Sequence, residues 1–201
     1  HLAPANCGQS LVVDGWDPSG PIQLDDASAQ SISNPDTTIC GLSFTPEIII
    51  RNAGDNNLTS CTLTYNVDGG TNLFYNWTGL LIPNGSEIIT LPSITSTNGS
   101  HVINAFTSDP NGIADSNPGN DLVVKPCTLY ENTIPTYVNV STDCYGYETA
   151  WEIHDGSSAL MASGGNLAVI PGGIQGAMSN DPGAYGNTVL VTEKLCLAEG
   201  C

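Results

Sequence analysis

Acidic and amide side chains crowd one stretch of this chain. The run Asp109-Pro-Asn-Gly-Ile-Ala-Asp-Ser-Asn-Pro-Gly-Asn-Asp121 carries Asp109, Asn111, Asp115, Asn117 and Asp121, and hard carboxylate and amide oxygens are the donors that Ca2+ selects. Calcium at these five residues is the expected chemistry, although their spacing is not that of an EF-hand loop. The competing reading is structural, because Asp and Asn also close turns by accepting hydrogen bonds from nearby backbone N–H groups. A second acidic turn, Asn180-Asp181-Pro-Gly183, is a weaker candidate.

The three histidines offer copper chemistry. His1 and its free amine could join His101 or His154 to give three nitrogen donors, the arrangement of a copper-dependent oxidase. The competing reading has His1 marking only where a fragment begins, with His101 and His154 as ordinary sheet or surface residues. Glu148 and Glu152 flank Trp151, which suggests a sugar platform; at strand spacing, however, the two carboxylates face away from Trp151, which favours a core role for the indole. No G-x-S-x-G elbow or H-E-x-x-H helix is present, and three histidines leave few general bases. The chain is therefore expected to be non-catalytic.

The charge balance excludes whole classes of partner. Arg51, Lys125 and Lys194 stand against 20 carboxylates, for a formal charge of -17. Such a surface repels phosphate backbones and anionic lipid, so nucleic acid is excluded as a partner. No run approaches the ~20 apolar residues of a membrane span, and membrane insertion is not expected.

Seven cysteines, Cys7, Cys40, Cys61, Cys127, Cys144, Cys196 and Cys201, are dispersed without zinc-finger spacing. Disulfides in an oxidising, extracellular compartment are the expectation. The favoured pair is Cys40 with Cys61; Cys127 with Cys144 and Cys196 with Cys201 are further candidates, which would leave Cys7 as the odd thiol, and other pairings stay open, since geometry decides them. A chain starting at His1 is expected to be a processed product or a fragment.

The elements that must position these groups are strands. With 22 Gly and 13 Pro, the chain breaks every few residues and keeps no helical apolar period. Runs rich in β-branched and aromatic residues recur at Ser43 to Asn52, Cys61 to Val67, Asn72 to Trp77, Glu87 to Leu91, His101 to Thr107 and Asp121 to Lys125. In Cys61-Thr-Leu-Thr-Tyr-Asn-Val67, Cys61, Leu63, Tyr65 and Val67 alternate with polar residues, one dry face and one wet. Asp68-Gly69-Gly70 then predicts a tight hairpin. Strands this short and regularly spaced predict a β-sandwich.

Three segments carry a family resemblance: Cys40-Gly-Leu-Ser-Phe-Thr-Pro-Glu-Ile-Ile-Ile-Arg-Asn-Ala-Gly54, Leu58-Thr-Ser-Cys-Thr-Leu-Thr-Tyr-Asn-Val-Asp-Gly-Gly70 and Tyr75-Asn-Trp-Thr-Gly79. Together with the hairpin ending at Asn120-Asp121 they resemble the CARDB-type immunoglobulin-like modules of secreted Bacteroidota proteins. The resemblance implies a seven-stranded sandwich serving as a spacer or adhesion module, often appended to adhesins and secreted peptidases. The segments Asp143-Cys-Tyr-Gly-Tyr-Glu-Thr-Ala-Trp-Glu-Ile153, Met161-Ala-Ser-Gly-Gly165 and Leu195-Cys-Leu-Ala-Glu-Gly-Cys201 resemble a second module of the same proteins, whose pattern would continue past Cys201. Asp36-Thr37-Thr38 resembles the O-glycosylation acceptor used there, which implies glycosylation at Thr37.

The expected architecture is all-β, two immunoglobulin-like β-sandwich modules in tandem. An N-terminal segment 1–21 precedes a sandwich over 22–126, a linker over 127–135 and a second, incomplete module over 136–201. The function expected is that of an extracellular structural or adhesive module that binds neighbouring domains, copies of itself in an array or filament, or surface glycans or proteins. The alternative is an accessory region of a secreted hydrolase, most readily a metallopeptidase.

Overall fold

The computed structural model describes residues 24–169 and 176–198. Two sheets face each other across one core. The first is antiparallel, in the order β1 (Ala27–Asn34), β4 (Glu47–Asn52), β7 (Ser86–Thr90). The second runs β2 (Thr38–Cys40), β10 (Leu122–Tyr130), β9 (Gly99–Ser108), β5 (Leu58–Val67), β6 (Leu73–Leu81). Here β2 is parallel to β10 and the other pairs are antiparallel. A short pair, β3 (Ser43–Phe44) with β8 (Ile94–Thr95), closes one side. The first edge is split between the two sheets as β1 and β2, giving an immunoglobulin-like β-sandwich.

Alternation builds the core. In β4 the sequence Glu-Ile-Ile-Ile-Arg-Asn has three isoleucines in a row, yet Ile48, Ile50 and Asn52 are the buried residues, because successive strand residues point to opposite faces. They meet Leu63, Tyr65 and Trp77 from β5 and β6, Ile103 and Ala105 from β9, and Cys127 and Leu129 from β10. Asn52 is a polar residue buried in this core. Its Nδ2 donates to the carbonyls of Asn56 and Leu81, and its Oδ1 accepts from Gly54 N, so a side chain of one sheet ties down a strand of the other.

The expected hairpin after Val67 is present: Asp68 and Gly69 both take positive φ, 55° and 68°, the backbone of a two-residue turn whose twist matches its strands. The expected strand Ser43 to Asn52 is broken into β3 and β4, where Pro46 supplies no amide hydrogen.

Residues 127–135 are not a linker. Cys127 to Tyr130 complete β10, and β11 (Thr133–Ser141) starts after a two-residue turn. β11 pairs antiparallel with β14 (Leu190–Ala198), and β12 (Ala150–His154) pairs with β13 (Leu160–Gly165). Among the described residues, this C-terminal part forms two two-stranded ribbons and adds no side chain to the hydrophobic core, whose last member is Leu129.

The disulfide map departs from the expected one. Cys40 in β2 is bonded to Cys196 in β14, Cα atoms 5.1 Å apart. Cys40 and Cys61 cannot pair because β10 and β9 lie between their strands; three inter-strand spacings, about 14 Å, far exceed the reach of a disulfide. Cys61 and Cys127 are free thiols buried in the core, and Cys144 is free and exposed. Cys7, Cys201, His1 and the segment 1–21 lie outside the described residues.

Candidate metal centre

Strand β1 starts at Ala27, so Asp26 sits where the chain enters the first sheet. Asp121 likewise immediately precedes β10 of the second sheet, and Asp115 lies in the loop joining β9 to β10. One oxygen from each of Asp26, Asp115 and Asp121 lies within 4.8 Å of the others. The loop is folded onto the sheets by its own polar groups. Ala27 N donates to Asp115 Oδ2 (2.9 Å), Asn117 N donates to Asp115 Oδ1 (2.7 Å), and Thr107 Oγ1 of β9 donates to Ala27 O. Ser116 N and Oγ both donate to Asp25 O, at 3.0 and 2.8 Å.

Among the described residues no cation hydrogen-bonds these three carboxylates, and the Arg51 charge is the weakest of the influences on Asp26. Asp26 is fully buried and Asp121 nearly so. Burial, reinforced by the Asp115 charge, pushes Asp121 up to about 6. Burial also raises Asp26, with Asp115 adding to the effect and the Asn120 hydrogen bond opposing it. All three cations are engaged elsewhere: Arg51 donates to Asn84 Oδ1, Lys125 to the carbonyls of Ile32 and Ser33, and Lys194 to Asp36. Asn120 Nδ2 donates to Asp26 Oδ1 and Oδ2 at 3.0 and 3.2 Å, whereas Asn120 Oδ1 is buried with no partner. An unpaired carbonyl oxygen, the buried carboxylates of Asp26 and Asp121 and the half-buried one of Asp115 are a donor set that fits a hard divalent cation.

Of the five loop residues expected to bind calcium, the structure brings together Asp115 and Asp121. Asn117 borders Asp26. Asn111 is committed elsewhere, its Oδ1 accepting from Thr59 N and Oγ1 and its Nδ2 donating to Asp25 Oδ1 and Asn57 O. The exposed Asp109 carboxylate accepts from Ser108 Oγ, away from the cluster, and its carbonyl accepts from Gly112 N. Asp26 and Asn120 were missed. Asp26 lies beside an unrecognised strand, and only the tertiary fold carries it across to the loop.

The remaining candidates are separate. His101 Nδ1 lies 2.6 Å from Asp68 Oδ2 and its Nε2 lies 2.9 Å from Thr97 O. His154 Nδ1 faces Ser158 O and its Nε2 faces Glu152. With both nitrogens of each ring facing oxygen acceptors, which favours the protonated imidazolium, neither ring has a nitrogen free for a metal. Glu148 lies in a 3-10 turn rather than on β12, so it does not share a face with Glu152. The Trp151 indole is half-buried over Gly164, and its Nε1 donates to Tyr185 OH. Thr37 is exposed at the start of β2. No helix among the described residues is long and apolar enough to cross a membrane.

No family model and no curated protein sequence matches the chain. Among solved structures, it is similar to the CARDB domain of the PF1109 protein from Pyrococcus furiosus. The crystal structure of that domain in complex with di-metal ions aligns at a TM-score of 0.44 and 21% identity, over 54% of this chain and 91% of that one. The solution structure of the same domain aligns at 0.42 and 23%, over 53% and 96%. A β-glucosidase from Listeria innocua in complex with glucose aligns at 0.31 and 11%, over 52% of this chain and 16% of that one.

Proposed function

We propose that the chain is an extracellular, non-catalytic structural or adhesive module whose sandwich is stiffened by Ca2+ bound among Asp26, Asp115 and Asp121. The observation that carries this reading is the Cys40–Cys196 disulfide. It joins residues 156 apart in sequence and fixes the C-terminal ribbon to the sandwich, and such bonds persist in oxidising compartments. Extracellular fluid also supplies Ca2+ at the concentrations that weak oxygen-donor sites require. The formal net charge of -17 supports a cation-rich setting in which self-repulsion is screened. Partners of such a module are neighbouring domains, copies of itself, or surface glycans and proteins.

Thermal unfolding of the oxidised and reduced protein, each in Ca2+ and in EDTA, tests the reading. Ca2+ and the disulfide should each raise Tm. Indifference to both would remove the case for a stiffened extracellular module.

A further inference from the structure

We infer that the outward face of the second sheet is a binding platform for an extended, uncharged polysaccharide. The inference rests on the extracellular adhesive reading and supplies its ligand class. Strand register lines up one apolar row across four strands. Phe74 of β6 opposes Thr64 of β5, Thr64 opposes Phe106 of β9, and Phe106 opposes Leu122 of β10. Phe74 and Leu122 are 68% and 60% exposed, Phe106 is half-buried, and Thr64, between the two phenyl rings, is almost completely covered at 2%.

Across β6, β5 and β9 a polar row borders this stripe on each side, the second of them continuing on β10 into exposed Val124. Thr62 faces Asn76 and Ser108 across the strands on one side, and Asn66 faces Asn104 on the other. Asn104 Nδ2 donates to Asn66 Oδ1 and Asn66 Nδ2 to Asn72 Oδ1, which fixes the amides in place. None of these outward positions carries a charge, although the chain as a whole has a formal charge of -17. The face therefore favours a neutral partner over an anionic or cationic one.

Sugar rings match this pattern. A pyranose presents apolar C–H faces that stack on aromatic rings and equatorial hydroxyls that hydrogen-bond at its edges, as the two polar rows require. Phe74 and Phe106 are two inter-strand spacings apart, about 10 Å, close to the repeat at which an extended β-linked chain turns the same ring face to a flat surface. A second copy of this protein fits less well. The face covers roughly 500 Å2 by its strand spacing and length, below the ~800 Å2 per partner of a standard interface.

The test is affinity electrophoresis of the intact protein through native gels containing hydroxyethylcellulose, glucomannan or, as an anionic control, alginate. Sedimentation velocity is measured in parallel. The expected result is retardation by at least one neutral polymer and none by alginate. Phe74→Ala, at an exposed site that should leave Tm unchanged, is expected to weaken the retardation at least tenfold, and Phe74→Tyr to retain it. Migration unaffected by both neutral polymers, or retardation indifferent to Phe74→Ala, overturns the inference. So does a dimer that Phe74→Ala dissociates, which would assign the face to a second copy. If Ca2+ and the disulfide stabilise the protein as proposed and the gels show no retardation, the ligand alone is wrong and the module reading stands.

Discussion

Cys40 in β2 and Cys196 in β14 are covalently joined across 156 residues of sequence, and Lys194, two residues before Cys196, also reaches Asp36 at 2.9 Å, four residues before Cys40. Both contacts hold β14 against the edge of the sandwich. Because the β11–β14 ribbon contributes nothing to the hydrophobic core, its position depends on these ties and on the two-residue turn that joins β11 to β10. Replacing both cysteines by serine should cost about 2–4 kcal/mol. Limited proteolysis should then cut within residues 133–198 while the sandwich survives. Equal protection of both parts in the variant would show that packing alone holds the ribbon.

The carboxylate cluster predicts opposite responses to protons and to calcium. Asp121 has a folded-state pKa raised to about 6, from an ordinary value of 3.8. Between these values the folded state binds more protons than the unfolded one, so in EDTA stability should fall as pH rises from about 4 to 6. Ca2+ competes with those protons and should suppress this loss near neutral pH; at a hundredfold excess over Kd it adds about 2.7 kcal/mol. Asp121→Asn should abolish both the pH dependence and most of the Ca2+ effect, as read by Tm across pH with and without EDTA.

The His101–Asp68 pair predicts a second pH dependence, in a higher window. Its hydrogen bond to Asp68 raises His101, and the Thr97 carbonyl adds to this. Its stabilising contribution is fully present below about 6.5 and fades as pH rises through the raised folded-state value. His101→Gln should flatten the Tm profile above pH 6.5 and leave the Asp121 window unchanged. The reciprocal bond to His101 lowers Asp68, so that carboxylate protects the fold until pH falls below its ordinary value.

Thiol accessibility gives a third check on the fold. Burial pushes Cys61 up to about 12 and also raises Cys127, and both face the core. Iodoacetamide should alkylate Cys144 in the native protein and reach Cys61 and Cys127 only after unfolding. Rapid native labelling of Cys61 would mean that β5 does not pack as described.

Strands were legible where β-branched and aromatic residues alternate. The expected runs over Cys61 to Val67, His101 to Thr107 and Asp121 to Lys125 fall within β5, β9 and the start of β10. β1 was not legible. Its sequence, Ala-Ser-Ala-Gln-Ser-Ile-Ser-Asn, has one β-branched apolar residue, and its alanines reach the core only because β4 lies beside them. Missing β1 meant missing Asp26, and with it the carboxylate that turns an acidic loop into a three-sided cluster.

By itself the sequence determined the all-β class, the hairpin at Asp68-Gly69 and the acidic character of the surface, because alternation, positive-φ turns and net charge are local or additive properties. Tertiary structure decided which cysteines bond, which oxygens converge and which phenylalanines share a row. Each of these depends on distances between strands that meet only after the sheets assemble. Cys40 and Cys61 are near in sequence and three strands apart in space, whereas Cys40 and Cys196 are the reverse.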